Sequence, residues 1–244
     1  MFARTFIFLY GIASYAAFLV SILYAIGFVG NLWVPKSIDT GGAGPLAEAL
    51  IIDTLLLGMF AIQHSVMARP AFKSWWTRII PHESERSTYV LVASLILLGL
   101  YWQWQPIPAQ IWHVENGVAR IVLMAVFWLG WGIVFLSTFL INHFNLFGLQ
   151  QVFAALRQRD LPEAEFRTPG LYKLVRHPLM LGLLLAFWGT PEMSAGHLLF
   201  AAMTTGYILV ALQFEERDLI KLFGMAYQEY RRRVPMLVPF LPKR

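Results

Sequence analysis

Long stretches without a charged side chain limit the folds that this chain can adopt. No Asp, Glu, Lys or Arg occurs in residues 5–35, 87–114 or 121–156. A helix of about 20 apolar residues crosses a bilayer, and it satisfies its own backbone hydrogen bonds there. Charged residues make up only 14% of the chain, against about 25% in soluble domains. We therefore expect an all-α, polytopic integral membrane protein.

Six apolar segments are predicted, giving about five to six transmembrane helices. They cover residues 5–29, 46–67, 87–104, 117–140, 179–190 and 197–214. Residues 142–156 extend the fourth segment, and we expect them to run along the membrane interface or re-enter it. The last two segments are short and are joined by the turn 191–194. They predict a C-terminal helical hairpin, followed by a charged tail over residues 215–233.

The basic residues are unevenly distributed between the predicted connections. Most of the 19 Lys and Arg side chains fall in connections on one side of the membrane, and the others hold only Lys36 and Arg120. This asymmetry follows the positive-inside rule and predicts that both termini are cytoplasmic. Basic residues so placed meet anionic lipid headgroups. The net charge of +5 therefore indicates a lipid partner and not nucleic acid.

Several common kinds of functional site are excluded by the composition. The chain has no cysteine, which excludes disulfides, zinc–thiolate sites and a cysteine nucleophile, and we expect no metal. It also lacks a Gly-rich dinucleotide fingerprint, a phosphate loop, a His-Glu-x-x-His motif and a nucleophile elbow. A nucleotide-like cofactor would have to bind outside the soluble folds.

Charged and polar residues cluster where the predicted C-terminal hairpin meets the aqueous phase. Arg176 and His177 precede Pro178, which suits a first helical turn, and Glu215 and Glu216 follow the last apolar segment. The start of the first helix of the hairpin and the end of the second should therefore be neighbours. Carboxylates there could hold an ammonium or ribose group while a basic side chain holds a carboxylate. The alternative is that Arg176 and His177 only anchor a helix end.

The charged tail adds two tyrosines to this region. Tyr227 and Tyr230 are about one helical turn apart. They could cover an adenine ring or simply pack against the protein.

The C-terminal third, Thr168 to Pro239, resembles the isoprenylcysteine carboxyl methyltransferase superfamily of membrane enzymes. The resemblance rests on Gly170-Leu171-Tyr172, Arg176-His177-Pro178, Glu215-Glu216, Phe223-Gly224, Tyr227, Tyr230 and Val234-Pro235. The chain departs from the pattern at Leu171, where the superfamily has Pro, and at Met180, where it often has Tyr. The resemblance implies S-adenosylmethionine as the cofactor. The residues that it implies for binding are Tyr172, Val175, Arg176, His177, Pro178, Gly182, Glu215, Glu216, Tyr227 and Tyr230.

The rest of the chain resembles the membrane methanethiol S-methyltransferases, which make dimethyl sulfide in bacteria. The matching segments are residues 63–65, 69–76, 85–89, 102–104 and 142–148. This resemblance implies a small thiol acceptor and a bacterial inner membrane location. The chain shows no soluble second domain, so we expect a single membrane domain over residues 1–244, with an acceptor side at 1–156 and a cofactor-binding region at 157–244.

Two histidines are candidates for activating such a thiol. The thiolate is the nucleophile, and histidine is a suitable base near neutral pH. His64 lies near the end of the second segment, and His143 follows the fourth. Ionisable groups in membrane segments are often functional, although each histidine could instead be hydrogen-bonded at the interface.

Other functions remain open on the sequence alone. Within enzymes, the acceptor could be the carboxyl group of a prenylated cysteine or a lipid. Sterol reductases share a related C-terminal pattern with a nicotinamide cofactor. Six apolar segments would also fit a small membrane transporter or a haem-handling or sensory protein, but the chain shows no inverted repeat.

Overall fold

The computed structural model describes residues 2–161 and 165–239, and most of them are helical. Each of the six predicted apolar segments forms a helix, which confirms the all-α membrane fold. The helices are α1 (Phe2–Gly30), α2 (Leu46–Ala68), α3 (Pro70–Trp76), α4 (Glu85–Gln103), α5 (Gly117–Ile141), α6 (His143–Leu146), α7 (Leu149–Arg157), α8 (Pro178–Trp188), α9 (Ala195–Phe223) and α10 (Met225–Arg233). Two short strands, β1 (Gln110–His113) and β2 (Glu192–Ser194), and two short 3-10 helices, His82–Ser84 and Gly170–Lys173, complete the described elements.

Four of the helices are long and apolar enough to cross a bilayer. They are α1, α2, α5 and α9, which have 29, 23, 25 and 29 residues. Helix α8 is also apolar but has only 11 residues, and α4 has 19. The chain is an integral membrane protein, and the number of complete spans beyond these four stays a prediction.

The chain forms two compact units that are discontinuous in sequence. Unit 1 contains residues 2–109 and 142–161, and unit 2 contains residues 110–141 and 165–239 of the described chain. In unit 1, α1 packs against α4 and α7, and α2 packs against α4. The core of unit 1 includes Phe28, Tyr101 and Trp104, and the ring of Phe28 contacts both of the others. Asp53 of α2 is fully buried and accepts a hydrogen bond from the Gln105 backbone N–H at 2.9 Å.

In unit 2, helices α5 and α8 approach each other backbone to backbone. A Cβ atom added at Gly130 would lie 2.6 Å from the carbonyl oxygen of Gly182, and one added at Gly182 would lie 2.7 Å from that of Gly130. Small residues at a helix–helix interface permit this close approach within a membrane. Helix α8 also packs against α9, and α9 packs against α10.

The C-terminal hairpin differs from its prediction in two ways. Helix α9 continues to Phe223, so Glu215 and Glu216 lie within the helix and do not end it. The backbone changes direction at Gly224, whose φ of +56° is accessible to glycine, and α10 follows. The connection between α8 and α9 contains β2, which pairs antiparallel with β1. Sequence patterns did not predict this pairing because each strand has at most four residues.

Candidate functional site

The first candidate site is built in unit 2 around a buried ion pair between Arg176 and Glu216. The Arg176 residue is 7% exposed and the Glu216 residue 4%. Nε and Nη2 of Arg176 are each 2.6 Å from Oε1 of Glu216. Arg176 precedes the first turn of α8, and Glu216 lies on α9. The predicted proximity of these two residues is therefore present in the structure.

The same arginine fixes the C-terminal segment in place. Nη1 of Arg176 donates to the carbonyl oxygens of Arg231 and Val234, at 3.0 and 2.6 Å. The backbone N–H groups of Arg176 and His177 donate to the carbonyl oxygens of Pro235 and Met236. Each guanidinium nitrogen of Arg176 therefore has a partner within unit 2. Arg176 holds the site together and has little capacity left to bind a ligand.

Three further groups surround the carboxylate of Glu216. Nε2 of His177 is 3.3 Å from Oε1, and the hydroxyl of Tyr227 donates to the same oxygen at 3.5 Å. Nε of Arg231 is 3.4 Å from Oε2. Two arginines, a histidine and a tyrosine thus surround one buried carboxylate, and we call this group the Glu216 cluster.

Two charged side chains of this region remain accessible. Glu215 and Arg231 have side chains that are 47% and 48% exposed. Oε2 of Glu215 is 3.8 Å from Nδ1 of His177. An accessible carboxylate and an accessible guanidinium therefore lie next to the buried charges, through their contacts with His177 and Glu216.

Aromatic side chains border the Glu216 cluster. The ring of Phe166 contacts the rings of Phe223, Tyr227 and Tyr230, with centroids between 5.3 and 5.8 Å apart. The hydroxyl of Tyr230 donates to the carbonyl oxygen of Tyr172 at 2.6 Å. Burial raises the pKa of Tyr172, Tyr227 and Tyr230, and the charge of Glu215 raises that of Tyr172 further. The three phenols stay neutral donors.

The other residues predicted to bind the cofactor lie in the surrounding packing. Val175 is buried, and Pro178 occupies the first turn of α8. Gly182 faces Gly130 of α5, so helix packing alone accounts for a glycine there. Arg231 was not among the predicted residues. It lies four residues after Tyr227 and hence on the same face of α10, a spacing that could have indicated it.

In unit 1, His64 is paired with a tyrosine of the neighbouring helix. The hydroxyl oxygen of Tyr89 on α4 lies 2.8 Å from Nε2 and 3.0 Å from Nδ1 of His64 on α2. Phe60, one turn before His64, stacks on the imidazole with a centroid distance of 5.1 Å. His64 is partly buried. Tyr89 is a partner that the sequence did not predict.

His143 has a similar hydrogen bond in a more enclosed position. Its Nε2 lies 2.7 Å from the hydroxyl of Tyr15 on α1, and the residue is only 3% exposed. The rings of Phe18, Phe144 and Phe147 pack around the imidazole with centroids between 4.9 and 6.3 Å away. Burial lowers the pKa of His143. The neutral imidazole is therefore favoured.

The chain is similar over nearly its whole length to bacterial methyltransferases. It is 64% identical over 241 residues to methanethiol S-methyltransferase 2 of Bradyrhizobium diazoefficiens, covering 99% of this chain and 93% of that protein. It is 57% identical over 232 residues to the methanethiol S-methyltransferase of Mycobacterium tuberculosis, covering 95% of each. A third relative, the methanethiol S-methyltransferase of Crocosphaera subtropica, is 53% identical over 242 residues, covering 99% and 95%. No protein-family model matches the chain, and no solved structure matches it.

Proposed function

The chain belongs to the methanethiol S-methyltransferase family, and on that premise we propose that it transfers a methyl group from S-adenosylmethionine to methanethiol, releasing dimethyl sulfide. The observation that carries the proposal is sequence identity of 53–64% over at least 95% of this chain to three proteins of that name. The chain is a methyltransferase and therefore requires a methyl donor. What we propose is the identity of the donor, the identity of the acceptor and the residues that bind them.

The Glu216 cluster suits the charged end of S-adenosylmethionine. The accessible carboxylate of Glu215 would hold the ammonium group or a ribose hydroxyl, and the accessible guanidinium of Arg231 would hold the carboxylate. Arg176 and Glu216 position these two residues through the buried ion pair. Phe166 and Tyr172 are only partly buried and offer an aromatic surface for the adenine, supported from beneath by the buried Tyr227 and Tyr230.

When bound, S-adenosylmethionine supplies an electrophilic methyl group on a positively charged sulfur. The acceptor must be the thiolate, so a protein group has to take the proton of the thiol. We assign that role to His64, since it is only partly buried while His143 is enclosed by aromatic rings. Charge is lost as a thiolate reacts with a sulfonium, which favours a low-dielectric environment over water.

The distribution of basic residues supports one orientation of the chain in the membrane. We propose that both termini face the cytoplasm of a bacterial cell and that the helices lie in its inner membrane. The basic residues of the connector 69–86 and of the segment 217–233 then meet the anionic lipid surface on the same side. The charged donor would reach the Glu216 cluster from the aqueous phase on that side.

Donor binding is tested by titrating the detergent-purified protein with S-adenosylhomocysteine in a calorimeter. We expect saturable binding that Glu215→Gln weakens about tenfold or more, because a hydrogen bond to a charged group contributes about 1.5–3 kcal/mol. Glu229→Gln is the matched control, since Glu229 is an exposed carboxylate of α10 that pairs with Arg233 at 3.7 Å. The control should bind like the unmodified protein.

The acceptor is tested by measuring dimethyl sulfide in the headspace after adding methanethiol and S-adenosylmethionine. Formation of dimethyl sulfide that depends on both compounds supports the proposal. A folded protein that binds no S-adenosylhomocysteine would refute the donor. One that binds it without methylating methanethiol would refute the acceptor and direct the search to prenylated cysteine and lipids.

A further inference from the structure

The hydroxyl group of Tyr89 lies against both ring nitrogens of His64, at 2.8 Å from Nε2 and 3.0 Å from Nδ1. A phenol hydroxyl can donate and accept, and a neutral imidazole has one nitrogen that donates and one that accepts. The hydroxyl can therefore pair with either tautomer of His64. In this arrangement the basic nitrogen of the histidine already has a hydrogen-bond partner in the hydroxyl of Tyr89.

We propose that Tyr89 carries the proton from the acceptor thiol to His64, an inference that rests on the proposed function. The S–H bond breaks as its proton moves to the hydroxyl oxygen of Tyr89. The original hydroxyl proton moves to the basic nitrogen of His64. The tyrosine is regenerated, and a thiolate and an imidazolium are formed. The thiolate lone pair then forms the new S–C bond while the C–S bond of the donor breaks, and the imidazolium returns its proton to water.

The surrounding residues hold both members of the pair. The guanidinium carbon of Arg86 lies 5.7 Å from the centroid of the Tyr89 ring, and Nε of Arg86 donates to the carbonyl oxygen of Leu146 at 3.0 Å. Phe60, one turn earlier on α2, stacks on the imidazole of His64. A proton relay requires such fixed geometry, since transfer depends on hydrogen-bond distances.

The positive charge beside the pair acts on the two ends of the relay in opposite ways. Arg86 is the nearest charge on α4, and Glu85, beside it, pairs with Lys73 of α3 at 3.7 Å. The positive charge of Arg86 stabilises an anion forming near Tyr89 and disfavours a second positive charge on His64.

The experiment compares two acceptors of the same shape in the Tyr89→Phe variant of the full-length protein. Methanethiol must lose a proton before it reacts, whereas methaneselenol is ionised at neutral pH because its Se–H group is more acidic. Removing the hydroxyl should lower the turnover of methanethiol about 100-fold or more and leave that of methaneselenol within about threefold. S-adenosylhomocysteine binding should be unchanged. The matched control is Tyr10→Phe, which removes a hydroxyl that donates to Thr88, next to Tyr89 in α4, at 2.9 Å.

The possible outcomes separate this inference from the proposed function. Methylation of neither acceptor by the unmodified protein would refute the function. If that protein methylates both, unchanged methanethiol turnover in Tyr89→Phe refutes the relay. An equal loss of turnover with both acceptors also refutes the relay, because that result indicates a structural defect, which would affect both acceptors alike.

If Tyr89→Phe does not fold, 3-fluorotyrosine at position 89 keeps the hydroxyl and makes it more acidic. The relay then predicts that the pH profile for methanethiol shifts to lower pH, and no shift would overturn it.

Discussion

The two units hold their candidate functional groups by different physical means. The Glu216 cluster of unit 2 is ionic: a carboxylate that is 4% exposed is surrounded by Arg176, His177 and Arg231. The two pairs of unit 1, His64 with Tyr89 and His143 with Tyr15, are hydrogen bonds between groups that can all be neutral. The ionic cluster maintains a fixed arrangement, and a neutral pair can exchange a proton.

The difference follows from the cost of separating the partners. Removing one member of a buried ion pair leaves an uncompensated charge and costs about 3–5 kcal/mol. Removing one partner of a neutral hydrogen bond costs about 1 kcal/mol, or somewhat more when the remaining group is buried. A buried ion pair therefore suits a permanent scaffold for a charged donor, and a neutral hydrogen bond suits proton transfer.

The largest effect on stability is expected for Glu216→Gln. This substitution leaves Arg176 buried without its carboxylate, so the free energy of unfolding should fall by about 3–5 kcal/mol. Thermal unfolding in detergent measures the change. The matched control, Glu229→Gln, breaks an exposed pair worth about 0–1 kcal/mol and should unfold nearly like the unmodified protein. Equal midpoints for the two variants would show that the cluster is not the ionic scaffold described here.

The two histidines should respond differently to the same substitution. We expect His64→Gln to lower methanethiol turnover about 100-fold or more, as loss of a general base does, while S-adenosylhomocysteine still binds. His143→Gln should instead lower the free energy of unfolding by about 1 kcal/mol, because it disturbs the contact with Tyr15 and the enclosing rings, and leave turnover within about threefold. Headspace assays measure the turnover of both variants, and thermal unfolding measures their stability. The reverse pattern would assign the base to His143, as the sequence also allowed.

The sequence predicted those parts of the molecule that depend on local patterns. The apolar runs predicted the helices because span length and charge are local properties. The meeting of Arg176 with Glu216 was predicted because both lie at one end of adjacent helices, although α9 extends further than expected. The pairing of Tyr89 with His64 and of Tyr15 with His143 could not be predicted. Those residues are 25 and 128 positions apart, and their contacts depend on how the helices rotate and pack.

The role of Arg231 was missed for a related reason. A run of three arginines in a charged tail ordinarily faces solvent, and only the approach of α10 to α9 brings one of them to Glu216. Val175 and Gly182 illustrate the opposite case. Both were predicted to bind the cofactor through a family resemblance, and the structure places them in buried or helix-packing positions that explain their small or apolar character without a ligand. Their role in cofactor binding stays a prediction.

The smallest effects expected are opposite pH dependences of stability from the two units. Burial lowers the pKa of His143 in unit 1, so below about pH 6.5 the unfolded chain binds a proton that the folded chain does not. The contribution of the neutral His143 to the free energy of unfolding is therefore present above that pH and is lost as the pH falls. Burial raises the pKa of Tyr172, Tyr227 and Tyr230 in unit 2. Their contribution is present below about pH 10 and is lost as the pH rises further.

Unfolding midpoints measured from about pH 5 to pH 11 test both directions. His143→Phe keeps an aromatic ring in the enclosed position and should reduce the loss of stability on the acid side only. Tyr227→Phe should reduce the loss on the alkaline side only, because it removes one phenol that burial keeps protonated. If His143→Phe leaves the loss of stability at low pH unchanged, His143 is not held neutral by burial. The contrast between its enclosed position and the more accessible His64 would then no longer explain which histidine takes the proton.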